Sequence, residues 1–172
     1  MDRALQFSGT KDVDPKLLLD HGPLEKYLKN LLGSDTNLLN IKQFKGGQSN
    51  PTYLIQTNLK NFVLRRKPPG KLLVSAHAVD REYKVITALD KTDVPVPKTY
   101  DLCEDISVAG TPFFLMDHVE GNIFWDLTLT KCSAEERGKI YWSMNDTIAK
   151  LHNADFKRIG LSNYGKHENY MA

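Results

Sequence analysis

The chain has 172 residues and a mass of 19.5 kDa, with 41% hydrophobic and 26% charged residues, which fits one domain with a buried core and excludes a disordered, collagenous or coiled-coil protein. A formal net charge of +2 is too balanced for a surface built to bind nucleic acid or an anionic membrane, so neither is expected as a partner. Cys103 and Cys132 are too few and too far apart for a disulfide framework or a paired zinc site, no apolar run reaches the roughly 18 residues that span a bilayer, and the start, Met1-Asp2-Arg3-Ala4, has no signal-peptide core, so a cytoplasmic protein is expected by default.

Residues 1–22 are polar and broken by Pro15 and Gly22, and read as an N-terminal arm that folds only by packing on something else. Leu24, Tyr27, Leu28, Leu31 and Leu32 then recur at helical spacing, with Pro23 suited to a first turn and Gly33 to a C-terminal cap. From Leu38 the pattern changes to short apolar runs between turn residues. Leu38–Phe44, Tyr53–Thr57 and Phe62–Arg66 are predicted strands, joined by Gly46-Gly47-Gln48-Ser49-Asn50-Pro51 and by Asn58-Leu59-Lys60-Asn61, and connections this short imply an antiparallel meander. A helix is predicted over about Ser75–Asp90, with Val79, Tyr83, Ile86 and Leu89 as its apolar stripe. Strands are expected again over Thr99–Leu102, led in by Val94-Pro95-Val96-Pro97, and over Thr111–Met116, entered through a turn at Gly110. His118-Val119-Glu120-Gly121-Asn122 is a polar break and reads as a hinge. Beyond it, Ser133 and Glu136 spell a capping box for a long helix that ends at Leu151-His152. Its buried face is expected to be Ile140, Tyr141, Met144, Ile148 and Leu151, and Trp125, Tyr141 and Trp142 are expected to pack in a core.

Five strands with one helix between the third and fourth, then a hinge, then helix, is the layout of an α+β, protein-kinase-like N-lobe followed by the start of a helical lobe. It divides the sequence into an arm (1–22), a nucleotide-binding lobe (23–117), a hinge (118–122) and an incomplete helical lobe (123–172). Gly46-Gly47 fits a turn that covers phosphates with backbone N–H groups, and it also fits a plain hairpin. Glu82 lies three residues after Val79 and four before Ile86, which puts a carboxylate on the buried stripe, where it needs a cation. Arg65 is the candidate, because strand alternation sets it on the face of Val63 and opposite Phe62 and Leu64. The alternative is that Glu82 reaches solvent at the edge of the stripe and Arg65 merely ends an amphipathic strand.

Gly46–Tyr53, Phe62–Gly70, Arg81-Glu82-Tyr83 and Phe113–Gly121 occur in an order and spacing that resembles the aminoglycoside phosphotransferase-like kinase family, over about Leu24 to Leu161. Within it, Leu64-Arg65-Arg66-Lys67-Pro68-Pro69-Gly70 is most similar to the branch fused to acyl-CoA dehydrogenases in animals, whose kinase domain is implied to phosphorylate hydroxyacyl-CoA. The resemblance implies ATP as cofactor, a small-molecule hydroxyl as acceptor, and a nucleotide-binding set of Gly46, Gly47, Ser49, Val63, Arg65, Glu82, Asp117 and Val119. Ser49 falls where the family's loop meets the β-phosphate. Arg65 falls where most kinases place a lysine, and its planar fork addresses phosphates differently from a point charge. Glu82 matches the helix glutamate that pairs with that cation, while Asp117 and Val119 match linker positions that offer adenine a backbone C=O and N–H. The family's catalytic loop reads His-x-Asp-x-x-x-x-Asn, and none of His21, His77, His118, His152 and His167 is followed two residues later by aspartate. No catalytic or metal-binding residue is therefore assigned. Mg²⁺ is expected only with a further lobe, and the protein is expected to be truncated before its catalytic loop and inactive alone. The rival reading is a non-catalytic kinase-like interaction or regulatory module. Gly160–His167 nearly spells a P-loop, but His167 stands where that motif needs Ser or Thr.

Overall fold

The computed structural model describes residues 6–46, 49–70 and 78–165. Gly47, the predicted helical turn at Ser75–His77 and the end of the P-loop-like segment at Lys166-His167 lie outside them.

The first helix, α1 (His21–Leu32), begins two residues before Pro23 because the Asp20 carboxylate accepts the Gly22 N–H at 3.1 Å. It ends at Gly33, whose φ of +118° is open to glycine at little steric cost. Leu24 and Leu28, one turn apart, are fully buried, and each such burial stabilises the fold by about 1.5–3 kcal/mol.

The strands β1 (Thr10–Lys11), β2 (Leu38–Phe44), β3 (Thr52–Thr57), β4 (Asn61–Arg66), β5 (Thr99–Cys103) and β6 (Phe113–Asp117) form one antiparallel sheet in the order β1-β2-β3-β4-β6-β5. Five strands were predictable; the sixth, β1, comes from the arm. It is two residues long, too short to show any periodicity, and it exists because Thr10 and Lys11 pair with Phe44 and Gln43. The arm is held further by the Asp14 N–H on Gln43 Oε1 (3.0 Å) and by the Tyr53 hydroxyl on the Leu17 carbonyl (2.8 Å).

Alternation gives the sheet two unlike faces. Tyr53, Ile55, Phe62, Leu64, Phe113 and Leu115 pack with Leu24 and Leu28 into one core. On the other face lie Val63, Arg65 and Phe114, with helix α2 (Val79–Leu89) bringing Tyr83 within 6.0 Å of the Phe114 ring. Arg66, next along β4, points into the core face and is 4% exposed. Its guanidinium is accommodated there by the carbonyls of Ala109 (2.7 Å) and Leu17 (3.1 Å) and by the face of Tyr53. Ala109 ends a single-turn helix, α3 (Ile106–Ala109), capped by Asp105 and by Gly110 at φ +77°.

The protein divides into two compact units, Met1–Tyr83 with Pro97–Trp125, and Lys84–Val96 with Asp126–Ala172. The sheet belongs to the first. In the second, α4 (Ala134–Asn153) carries the predicted capping box, with Ser133 and Glu136 bonded in both directions. Its predicted buried face is not buried. Tyr141, Met144, Ile148 and Leu151 are all exposed, and Trp142, expected in a core, is 74% exposed. Helical periodicity marks a face that needs cover, and no described residue buries this one. No helix among the described residues is long and apolar enough to cross a membrane.

Candidate functional site

On the Val63–Arg65 face, Arg65 and Glu82 meet. Arg65 Nε donates to Glu82 Oε2, Nη2 donates to Oε1 at 3.3 Å, and Nη1 donates to Thr52 Oγ1 at 3.1 Å. Thr52 stands directly opposite Arg65 in the ladder, so the strand pairing itself places the third contact. The Glu82 side chain is 36% exposed and that of Arg65 26%. Glu82 thus sits at the edge of its helix stripe, as the alternative reading had it, yet it is held by the cation of the first reading. A two-point guanidinium–carboxylate contact fixes both side chains in direction as well as distance.

A residue not singled out from the sequence completes this cluster. Asn50, 2% exposed at the end of the glycine turn, donates from Nδ2 to Glu82 Oε1 at 2.9 Å, and its carbonyl accepts the Thr52 hydroxyl at 3.0 Å. The turn is therefore tied to the same carboxylate that aims Arg65. Of the turn residues, Ser49 is exposed. Gly46 passes so close to the arm that a Cβ there would come within 3.2 Å of the Phe7 carbonyl oxygen, while the Lys45 N–H bonds the Gly9 carbonyl. Val63, 7% exposed, sits two residues before Arg65 on the same strand face.

At the other end of β4, Asp117 and Val119 lie at the start of the linker. Lys60, Asn61, Asp117, His118, Val119 and Glu120 line an open groove of about 520 Å³. Lys60 Nζ reaches Asp117 Oδ1 (2.6 Å) and the Tyr100 hydroxyl (2.7 Å), and that hydroxyl donates to the same Asp117 oxygen at 2.7 Å. Burial works against the Asp117 carboxylate, but the hydrogen bonds from Lys60 and Tyr100 and the charges of Lys60 and Lys98 outweigh it and hold the group below the usual carboxylate range. The hydrogen bonds that Lys60 donates, to Asp117 foremost and then to Tyr100, hold its ammonium above the usual lysine value. Val119 is 67% exposed. Among the described residues no group of three or more His, Cys, Asp or Glu side chains stands close enough to hold a metal ion.

An antiparallel sheet with an arginine of one strand gripped by a helix glutamate, and a polar linker after its last strand, defines a kinase-like lobe. The protein belongs to the phosphotransferase enzyme family, whose family profile matches residues 40–172. It is similar to one part of acyl-CoA dehydrogenase family member 10 of Mus musculus, at 42% identity over 163 residues, covering 94% of this chain and 15% of that protein. Against acyl-CoA dehydrogenase family member 11 of Homo sapiens the identity is 43% over 162 residues, 92% of this chain and 21% of that protein. Among solved structures, a Ralstonia eutropha protein assigned to the aminoglycoside phosphotransferases superposes with a TM-score of 0.76 at 42% identity, over 89% of this chain and 44% of that one. The sequence therefore spans about a fifth or less of the curated relatives named here.

Proposed function

We propose that this kinase-like phosphotransferase domain is the nucleotide-binding lobe of an ATP-dependent enzyme that phosphorylates a small-molecule hydroxyl, with a hydroxyacyl-CoA as the acceptor class. The observation that carries the reading is the layout of β4. Asn61 at its start lines the linker groove, Arg65 lies about 13 Å further along at strand rise, and Val63 is between them on the Arg65 face. A nucleoside triphosphate can bridge that span, with its base at the linker and its phosphates at the cation. The donor set fits: a guanidinium already oriented by Glu82 and Thr52, a glycine turn anchored through Asn50, and an exposed linker backbone at Val119.

When bound, ATP would supply the transferable phosphoryl group. Arg65 would hold charge next to the phosphates, and with three of its five N–H groups engaged by Glu82 and Thr52, two remain for phosphate oxygens. Val63 closes the apolar side of the base. The acceptor class rests on the acyl-CoA dehydrogenases to which the sequence is similar. The 172 residues hold no His-x-Asp-x-x-x-x-Asn sequence to orient an acceptor hydroxyl, so this stretch taken by itself is expected to bind without turnover.

Calorimetric titration tests this. ATP should bind the protein, and Arg65→Ala should weaken it by about tenfold or more, the loss expected for a charge-assisted contact. Labelled ATP incubated with hydroxyacyl-CoA should give no phosphorylated product. Absence of ATP binding, or transfer that survives Arg65→Ala with Glu82→Ala, overturns the reading.

A further inference from the structure

The ladder between β5 and β6 slips by one residue. Thr99 pairs with Met116 and Asp101 with Leu115, so Tyr100 is an extra residue with no partner across the sheet. Such bulges re-aim a side chain. Here the hydroxyl is aimed at Asp117, the last residue of β6, and the ring is braced edge-on by Phe62 at 5.3 Å, with the ammonium groups of Lys60 and Lys98 over it at 5.2 and 5.4 Å. Asp117 stands opposite Phe62 in the register, so its side chain lies on the Phe62 face, behind the Val63–Arg65 face. Its N–H is also taken, by the Lys98 carbonyl at 2.8 Å. The side chain is thus anchored to the turn before β4 and to β5, and the amide to the residue that leads into β5, while the linker beyond is exposed at Val119.

We propose that Lys60 and Tyr100 are positioning residues that lock Asp117 at the margin of the groove and thereby set the linker backbone, from Asp117 to Val119, in register with the base of a bound nucleotide. The inference rests on the nucleotide reading above and adds to it the source of base selectivity. A linker that reads a base by backbone C=O and N–H discriminates only if it is held still, and three mutually bonded groups drawn from the β3–β4 turn, β5 and β6 hold it. The hydrogen bonds of the triad do not involve Arg65 or Glu82, and Lys60 and Asp117 border the linker groove, so its effect belongs to the base end.

The test is a comparison of ATP and GTP binding to the wild-type protein, Tyr100→Phe and Lys60→Gln, with Lys60→Arg as the charge-conserving rescue and a thermal melt of each. Tyr100→Phe keeps the ring and its packing and removes the hydroxyl alone. The expected result is a loss of about tenfold in ATP affinity, from loss of a hydrogen bond to a charged group, with GTP changed by less than about twofold. The selectivity ratio then falls in Tyr100→Phe and Lys60→Gln and returns in Lys60→Arg. Equal losses for ATP and GTP, or none, overturn the positioning role and leave the nucleotide reading standing. A wild-type protein that binds neither nucleotide overturns that reading and this inference together.

Discussion

Arg65 spends Nε and Nη2 on one carboxylate and Nη1 on a hydroxyl, and Glu82 receives Asn50 as well as Arg65, so each single removal strands a partner. With both side chains part-exposed, the expected loss for Arg65→Ala or Glu82→Ala lies between the roughly 0–1 kcal/mol of surface pairs and the roughly 3–5 kcal/mol of buried ones, at about 1–3 kcal/mol. Urea melts of the two single variants and the double should show the double costing clearly less than the sum; additive losses would mean the pair is ornamental. Asp126 supplies a second residue-scale test. Hydrogen bonds from Thr128 and then Thr130, from side chain and backbone alike, hold its exposed carboxyl well below the usual range. A depressed folded value means the turn is fully formed above the ordinary aspartate midpoint of about 4 and opens only as pH falls through the lower folded value. An NMR titration of the Asp126 carboxyl checks this, and a midpoint near 4 would refute it.

Elements differed in how openly the sequence announced them. Strands β2, β3 and β4 lie within a residue of their predicted bounds, because each is a run of apolar residues closed by turn chemistry at both ends. The pairing of Arg65 with Glu82 was readable for a related reason: strand and helix periods each assign a residue to a face, and two faces that bury apolar neighbours must meet. Asn50 was not readable, since a buried asparagine in a polar glycine turn has the same composition as a solvated one. Asp117 stands among the residues the sequence singles out, but its bonding to Lys60 and Tyr100 was hidden by separation, Tyr100 and Asp117 lying 40 and 57 residues from Lys60, and by a bulge that defeats simple alternation. The single turn α3 was not readable: Gly110 reads only as the turn into the next strand, and four helical residues are too few to show a period.

For the molecule as a whole, the helix α4 is the element least accounted for by its own surroundings. It presents Trp142, Tyr141, Met144, Ile148 and Leu151 to solvent, a run of large apolar side chains beyond what isolated surface residues explain. The protein should therefore enhance the fluorescence of an apolar dye such as ANS in its folded state, and Trp142→Glu with Ile148→Glu should reduce that signal without lowering the melting temperature. Unchanged dye binding in the double variant would show that the signal arises elsewhere. The capping box serves two N–H groups at the start of the helix, those of Ser133 and Glu136, so we expect it to stay helical even with its apolar side in water.

Trp125 stands 5.3 Å from the Phe7 ring and gives its indole N–H to the Ser8 hydroxyl at 2.7 Å, whereas Trp142, the second of two tryptophans, is bathed in solvent. The molecule thus contains an optical gauge for its own N-terminus. With Trp142→Phe, all indole emission comes from a ring whose polarity and hydrogen bonding are set by residues 7 and 8. Release of the arm, whether by proteolysis before Gly9 or by a rearrangement of the glycine turn it borders, would then register as a red shift and a drop in anisotropy, in real time and without a label.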